Sequence, residues 1–150
     1  MKSYIIYTDG SCKGNPGTGA AAIVVCSPEG EIIKEFVKAY PDTTNNRMEM
    51  QAAIAALKVA ACSDLTIISD SQYVIKGITT WVEGWRKKDW MTSQRKPVEN
   101  RDLWEEMDAL ARAHQGPLEW KWVRGHHGSP GNERADTLAQ TAAEELAKAR

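Results

Sequence analysis

The sequence KSYIIYTDGSC, residues 2–12, sets an apolar run directly in front of an acid and a glycine. Apolar side chains occupy both parities of residues 2–9, a pattern typical of a strand that is covered on both faces of its sheet. Asp9 ends this run and shares its parity with Ile5 and Tyr7, so it continues a largely buried row. The stretch therefore predicts a central strand that ends in a buried carboxylate.

The segments that follow alternate between strand and helix patterns. Further strands are predicted over residues 20–26, 31–39, 65–70 and 118–123. Helices are predicted from an Asn45-Asn46 cap to Ala61, over residues 71–80, 82–88 and 100–114, and from about residue 132, after a glycine-rich loop at 125–131. The turn sequence at residues 27–30 joins the second and third strands into a hairpin. This order predicts an α/β fold in which helices cover a mixed sheet.

Length and composition favour a single domain over residues 1–150, with a hydrophobic fraction of 42% that suffices for a core. No apolar run reaches the roughly 20 residues that cross a bilayer. The N-terminus lacks the cleavage site of a signal peptide. We therefore expect a cytoplasmic monomer that does not contact a membrane. The net charge of −1 restricts any contact with nucleic acid to a local basic patch.

Three cysteines, Cys12, Cys26 and Cys62, form no CxxC pair and leave one thiol over in any disulfide scheme. Reduced thiols in a cytosolic protein are the simplest interpretation. Cys26 and Cys62 are expected to be small apolar filler, whereas Cys12 follows the first strand and stays open.

Four carboxylates carry the chemical signal. Asp9 and Asp70 end apolar strands, Glu49 lies at the start of the first helix, and Asp136 borders the apolar stripe of the last helix. Buried acids are unfavourable unless a positive charge lies between them. Oxygen ligands suit Mg²⁺ or Mn²⁺ better than zinc. Two such ions about 4 Å apart would activate water and stabilise a leaving oxyanion in phosphodiester hydrolysis.

Each acid also has a purely structural interpretation. Asp70 is also a candidate helix N-cap, and Glu49 a candidate capping-box partner of Asn46. Asp9 with the following glycine is compatible with a turn, and Asp136 with a solvated helix position. Spacing alone leaves open whether the four acids converge.

Four motifs resemble those of the type 1 ribonuclease H family, most closely its bacterial branch, ribonuclease HI. They are YTDGSCxGNPG at residues 7–17, TTNNRME at 43–49, DSQYV at 70–74, and WxWVxGH at 120–126 with GNERAD at 131–136. The motifs follow one another from the first strand to the last helix. The resemblance therefore covers nearly the whole chain.

The resemblance implies a mixed five-stranded sheet with one antiparallel strand and helices on both faces. It implies an endonuclease that hydrolyses the RNA strand of RNA–DNA hybrids and leaves 5′-phosphate and 3′-hydroxyl ends. It further implies that two Mg²⁺ ions are held by the four acids, Asp9, Glu49, Asp70 and Asp136. His126 would assist proton transfer or product release, although His127 stands beside it where a small residue is expected.

The resemblance also implies the substrate contacts. Cys12 (through its backbone), Asn15, Asn45 and Gln72 would touch the RNA strand, and Thr44 and Asn46 the DNA strand. Amides and backbone groups suit this task because a 2′-hydroxyl both donates and accepts hydrogen bonds. Turn and cap chemistry is the alternative for Asn15 and Asn45. The glycine-rich stretch at 14–19 leads into a strand, so it is neither a P-loop nor a dinucleotide fingerprint.

Residues 81–98 form a basic, aromatic segment. Between residues 86 and 96 there are five cations against one acid, Asp89. The segment resembles the basic protrusion of bacterial family members, which implies a grip on the DNA strand and no obligate protein partner. Its candidate contacts are Trp81, Trp85, Arg86, Lys87 and Lys88. One of the two tryptophans is expected to be in the core instead.

Two rival functions are a non-catalytic hybrid-binding module and a DNA-cutting relative, such as a resolvase or integrase core. The four intact acids argue against the first. The set of amides that suits 2′-hydroxyls, and the lack of accessory domains, argue against the second.

Overall fold

In the computed structural model, which describes residues 1–125 and 129–150, five strands form one sheet. The strands are β1 (Ser3–Lys13), β2 (Gly17–Cys26), β3 (Ile32–Thr43), β4 (Asp64–Ser69) and β5 (Leu118–Trp122). Their order across the sheet is β3-β2-β1-β4-β5. β2 is antiparallel to both β1 and β3, while β1, β4 and β5 are parallel. The predicted mixed sheet with one antiparallel strand is confirmed.

Helices cover both faces of this sheet, as predicted. They are α1 (Asn45–Val59), α2 (Gln72–Lys76), α3 (Val82–Lys87), α4 (Arg101–Ala113) and α5 (Pro130–Ala149), and a π-helical turn at Gly77–Trp81 joins α2 to α3. α5 lies against β1, β2 and β3, whereas α1 contacts β1, β2 and α4. None of the helices in the described ranges is long and apolar enough to cross a membrane.

Side chains at alternate positions of β1 point to opposite faces of the sheet and pack into two separate clusters of buried residues. Ile6 belongs to the larger cluster, which α1 and α4 complete with residues such as Leu57 and Trp104. Ile5 and Tyr7 pack against the smaller cluster, which includes Cys26 and the α5 side of the sheet. This burial on both faces is the reason that the strand is apolar at successive positions. It also confirms Cys26 as apolar filler.

β1 does not end at Asp9 as the sequence suggested, because it continues to Lys13. Its parallel pairing with β4 stops at Thr8 opposite Ser69. Its antiparallel pairing with β2 continues to Lys13 opposite Thr18. Asp9 therefore lies inside a strand, at the point where one of the two neighbouring strands ends.

The ends of two helices also differ from the predictions. α1 is capped by Thr44, whose side chain accepts a hydrogen bond from Arg47 N, and not by Asn45-Asn46. It ends at Val59, because Ala60 leaves the helical conformation, so Ala61 lies outside. Cys62 is consequently exposed in the turn that follows, and its prediction as apolar filler is wrong. α5 begins at Pro130, slightly before the predicted start, with Ser129 as its cap.

Candidate active site

The register of β1 and β4 brings two of the four acids together. Thr8 and Ser69 are the last parallel pair, so Asp9 and Asp70 are the residues that follow this pair. Asp70 lies one residue beyond the end of β4, and not within the strand as predicted, because β4 ends at Ser69. The Thr8 hydroxyl donates to Ile68 O at 3.2 Å, which ties the two strand ends together just before the acids. The sheet thus places both carboxylates at the same level, at the carboxyl end of β4.

Glu49 reaches the same place because α1 crosses β1 at a glycine. A Cβ at Gly10 would stand 2.5 Å from Glu49 N and 2.6 Å from the carbonyl carbon of Met48. The two backbones are therefore closer than any residue with a side chain allows. This close approach sets Glu49 beside Asp9.

Asp9, Glu49 and Asp70 form one compact acidic cluster. Each offers one carboxylate oxygen, and these oxygens all lie within 4.8 Å of one another. Asp9 is only 4% exposed, and Gly10 N donates to its Oδ1 at 2.9 Å. In the described parts of the chain, Glu49 Oε1 and Asp70 Oδ1 are buried and accept no hydrogen bond. Buried oxygens of this kind are costly unless a missing partner satisfies them.

Burial and like charges raise the pKa values of two acids in the cluster. Burial, followed by the charge of Asp70 and contacts with Asp136, raises the pKa of Asp9 from 3.8 to about 8. Burial and the charges of Asp9 and Asp70 raise the pKa of Glu49 well above 4.5. Like charges in a poorly solvated site disfavour ionisation, and a bound dication reverses this cost.

Asp136 lies at the edge of the cluster. It is half-buried on α5, and Gln140 Nε2 donates to both of its carboxylate oxygens at 3.1 Å. A Cβ at Gly131 would stand 2.3 Å from the Tyr7 ring, so the first turn of α5 rests directly on β1. Asp136 is consequently near enough to contribute to the raised pKa of Asp9.

Structural interpretations of three acids are excluded by the geometry. The N-cap of α2 is Ser71, whose hydroxyl accepts from Val74 N at 3.2 Å, so Asp70 is not a cap. Because Thr44 caps α1, the capping-box position is Arg47 and not Glu49. Asp9 lies within β1 and not in a turn.

The predicted RNA and DNA contacts lie around the start of α1 and α2. Asn15 Oδ1 accepts from Asn45 N at 3.1 Å, which docks the turn between β1 and β2 on the start of α1. The Cys12 thiol donates to Gly14 O at 2.8 Å. Asn46 is exposed in the first turn of α1, and Gln72 is exposed in the first turn of α2, two residues beyond Asp70. The Thr44 hydroxyl is already used as the cap of α1.

The structure changes the role of one predicted cation. Arg86 donates to both carboxylate oxygens of Asp108, at 3.0 and 2.8 Å, and the Asp108 side chain is buried. Arg86 is therefore held in an ion pair within the fold, which the sequence did not reveal. Lys87 and Lys88 are exposed. Lys87 lies 3.3 Å from Glu83 across one helical turn.

The two tryptophans at the start of this segment have different environments. Trp85 packs against the core, and Trp81 is 36% exposed. Their ring centroids are 5.8 Å apart. The expectation that one of the two belongs to the core is confirmed.

His126, predicted to assist the reaction, lies with His127 outside the described residues. The last described residue before it, Gly125, lies against Asp70 of the acidic cluster. A Cβ at Gly125 would stand 2.9 Å from Asp70 Oδ2. A glycine therefore lets the backbone run against this carboxylate immediately before residue 126.

One contact at the site was not foreseen from the sequence. Trp122 Nε1 donates to the backbone oxygen of Asp70 at 3.1 Å, and thus ties the end of β5 to the residue that carries the acid. These residues are 52 positions apart, so no local pattern indicates the bond. The one available signal was that Trp120 and Trp122 are two positions apart, which places both side chains on the same face of a strand.

An acidic cluster at the end of parallel strands, in a mixed sheet covered by helices, defines a class of α/β proteins that gather carboxylates for phosphodiester chemistry. The RNase H family model matches residues 1–144 of the chain. A ribonuclease H of Cupriavidus necator is 48% identical over 149 residues, which cover 99% of this chain and 100% of that protein. A ribonuclease H of Aeromonas salmonicida is 52% identical over 145 residues, 95% of this chain and 91% of that protein.

Solved structures agree with this assignment. The crystal structure of LC9-RNase H1, "a type 1 RNase H with the type 2 active-site motif", is 34% identical, with a TM-score of 0.80. The match covers 97% of this chain and 74% of that one. The chain belongs to the RNase H family. It is an endoribonuclease that hydrolyses the RNA strand of RNA–DNA hybrids.

Proposed function

We propose that the acidic cluster is a divalent-metal site at which the RNA strand of a bound hybrid is hydrolysed. The observation that carries this proposal is the pair of buried carboxylate oxygens, on Glu49 and Asp70, that accept no hydrogen bond from the described residues. Both residues offer a carboxylate oxygen within 4.8 Å of one from the buried Asp9. A cation is the partner that such an arrangement calls for.

The donor set fits Mg²⁺, with Mn²⁺ as a substitute, because all its atoms are carboxylate oxygens. Asp9, Glu49, Asp70 and Asp136 would hold two ions when substrate is bound. The ions would supply compensation of negative charge, activation of water and stabilisation of the leaving oxyanion.

The protein's own groups hold the acids in place. Gly10 N orients Asp9, and Trp122 fixes the backbone of Asp70. Asp9 lies in β1, opposite Ala22 of β2, and Asp70 directly follows the last residue of β4, so both carboxylates are held by the sheet. We assign to His126 the transfer of a proton during cleavage or product release.

The reaction is an in-line displacement at phosphorus. The oxygen of a water molecule gives up a proton and forms a bond to phosphorus, the bond to O3′ breaks, and the departing O3′ takes up a proton. The products are a 5′-phosphate and a 3′-hydroxyl. No nucleophilic side chain takes part, so no covalent enzyme intermediate forms.

Selectivity for RNA is assigned to neutral hydrogen-bonding groups beside the cluster. Cys12 (through its backbone), Asn15, Asn45 and Gln72 would contact the RNA strand, where 2′-hydroxyls distinguish it from DNA. Thr44 and Asn46 would contact the DNA strand. The exposed Trp81, Lys87 and Lys88 of the basic protrusion, residues 81–98, would grip its phosphates, with Trp85 as their support.

Because Arg86 is paired with Asp108, it is not among the proposed DNA contacts.

We further propose that the enzyme is a cytoplasmic monomer in which residues 1–150 suffice for activity. Sedimentation of the metal-loaded protein with and without hybrid would report the oligomeric state.

The decisive experiment is cleavage of a labelled RNA–DNA hybrid with Mg²⁺ and, in parallel, with EDTA. We expect cleavage of the RNA strand with Mg²⁺ alone, and little cleavage of single-stranded RNA, duplex RNA or duplex DNA. Binding of the hybrid without cleavage would favour the non-catalytic module. Cleavage of duplex DNA at a comparable rate would favour the DNA-cutting relative.

A further inference from the structure

A small cleft lies directly beside the acidic cluster, between α2 and the end of β5. Its volume is about 160 Å³, and it is lined by Gln72, Ile75, Lys76 and Trp122. Ile75 and Lys76 lie three and four positions after Gln72, so both neighbour its side chain on the helix surface. Trp122 forms the opposite wall, and its side chain is 39% exposed. We call this feature the Trp122 cleft.

The Trp122 cleft is connected to the proposed catalytic centre through Asp70. Trp122 Nε1 donates to Asp70 O at 3.1 Å, so the indole is anchored to the residue that bears a catalytic acid. Gln72 lies two residues beyond Asp70, at the start of α2. A strand of nucleic acid whose phosphate lies at Asp70 would therefore have this cleft close by on one side.

The chemistry of the walls suits a sugar and a phosphate. The Trp122 indole and the Ile75 side chain give a largely apolar surface against which the C–H face of a ribose packs. Lys76 is exposed, and it forms no ion pair with any residue in the ranges 1–125 and 129–150. An ammonium group and an aromatic ring in one cleft, here those of Lys76 and Trp122, are a combination that binds a nucleic-acid backbone.

The size of the cleft restricts the ligand further. Pockets that enclose a drug-sized molecule measure roughly 300–1,000 Å³, so this one holds a single sugar ring at most. In a hybrid duplex the bases are paired in the interior, and the sugars and phosphates face outward. The backbone, and not a base, is therefore the part of the substrate that reaches Trp122.

We propose that the Trp122 cleft is a subsite for the RNA strand, which holds the ribose and phosphate of one nucleotide adjacent to the scissile phosphate. The ribose lies on the Trp122 ring, and the phosphate pairs with Lys76. This inference rests on the proposed function, because it takes Asp70 as the place of cleavage. Trp122 is thereby both a substrate contact and a positioning residue for Asp70.

The first test is the variant Lys76→Ala, with Lys34→Ala as a control matched in charge. Lys34 is exposed on β3, at the opposite edge of the sheet from β5. For Lys76→Ala we expect the hybrid Kd in EDTA and the KM with Mg²⁺ to rise about three- to tenfold, with kcat within about twofold of wild type. The slope of log Kd against log salt should fall by about 1. Lys34→Ala should match wild type in all of these.

A second test separates the two roles of Trp122. Trp122→Phe keeps an aromatic ring but loses the bond to Asp70 O, so kcat should fall while affinity for the hybrid is retained. Trp122→Leu loses the ring as well, so affinity should also fall about fivefold or more. Thermal unfolding of both variants checks that they are folded at the assay temperature. Equal affinities for the two variants would overturn the assignment of the ring as a sugar contact.

A third test identifies the strand that the cleft holds. A neutral methylphosphonate linkage is placed at successive positions of the RNA strand, and then of the DNA strand, and affinities are measured in EDTA. We expect one RNA position, next to the cleavage site, at which a neutral linkage makes Lys76→Ala bind as tightly as wild type. At that position the linkage has already removed the phosphate charge with which Lys76 pairs. Coupling to a DNA position, or equal behaviour of Lys76→Ala and Lys34→Ala, would overturn the proposal. Since these affinities need no cleavage, they separate this subsite from failure of the proposed function.

Discussion

The backbone of Gly10 lies so close to the first turn of α1 that a Cβ on it would stand 2.5 Å from the Glu49 amide nitrogen. Ordinary Cβ contacts do not reach such a distance. This contact sets the separation between β1, which carries Asp9, and α1, which carries Glu49. The missing side chain at Gly10 is therefore a condition for the acidic cluster.

Replacing Gly10 by alanine should separate the cluster. In Gly10→Ala we expect α1 to shift away from β1, and cleavage of the hybrid to fall by about 100-fold or more, because small misplacements of catalytic groups are costly. Affinity for Mg²⁺, measured by calorimetry, should fall as well. The control is Gly30→Ala, which strains a residue at φ +93° in open space. That control should lose about 1 kcal/mol of stability and keep its activity; similar activities for the two variants would refute the role of Gly10.

The raised pKa of Asp9 predicts how stability depends on pH without metal. The folded protein keeps a proton on Asp9 up to about pH 8, whereas the ordinary value for the unfolded chain is 3.8. The stability contributed by this group is therefore full at low pH and is lost as the pH rises through about 8. Asp9→Asn has no such loss. In EDTA at pH 9 it should be more stable than wild type by about 2 kcal/mol.

Urea unfolding of both proteins at pH 4, 7 and 9 provides the measurement. The difference should be small at pH 4 and grow toward pH 9. Saturating Mg²⁺ should reduce it, because the ion stabilises the wild-type carboxylates. A constant difference across this range would contradict the assignment of the effect to ionisation of Asp9.

Binding of Mg²⁺ should release protons from the cluster. Near neutral pH the pKa of about 8 keeps a proton on Asp9, and the ion must displace it. The raised pKa of Glu49 acts in the same direction. Calorimetric titrations in buffers of different ionisation enthalpy should give a positive number of protons released per ion at pH 7. Affinity should increase as the pH rises toward about 8. Titrations with no buffer dependence would show that the acids are already ionised.

Neighbouring cations in the basic protrusion should act in different ways. Among the described residues, Arg86→Ala leaves the buried carboxylate of Asp108 with Arg112 as its ion-pair partner, at 3.8 Å, so we expect the urea midpoint of unfolding to fall. Lys88→Ala should leave stability unchanged and reduce the salt dependence of hybrid binding by about 1 in slope. Urea unfolding and binding at several salt concentrations distinguish the two. Exchange of these phenotypes would mean that Arg86 is the free cation.

Much of the fold could be predicted because local patterns of apolar and polar residues indicate its strands and helices. The apolar run of β1 and the parity of Asp9 indicated a central strand with a buried acid, and the motif resemblance implied a mixed five-stranded sheet with one antiparallel strand. The residue at which α1 begins could not be predicted from the sequence. Thr43, Thr44, Asn45 and Asn46 are all able to cap a helix, and the choice depends on where the backbone turns.

The contacts that tune the site were hidden for a different reason. Arg86 and Asp108 are 22 positions apart, and Trp122 and Asp70 are 52 apart. Such pairs arise only when separate elements meet, so they leave no periodic signal in the sequence. The role of Gly10 was hidden as well, because a glycine after a strand also fits an ordinary turn.

The most direct test of the metal-site account is single-turnover cleavage of a labelled hybrid by Asp70→Asn under saturating Mg²⁺. The substitution keeps the size of the side chain but removes its charge, so the bond from Trp122 to the backbone of residue 70 is preserved. We predict that cleavage is abolished while hybrid affinity in EDTA stays close to wild type. Turnover at the wild-type rate in this variant would contradict the account.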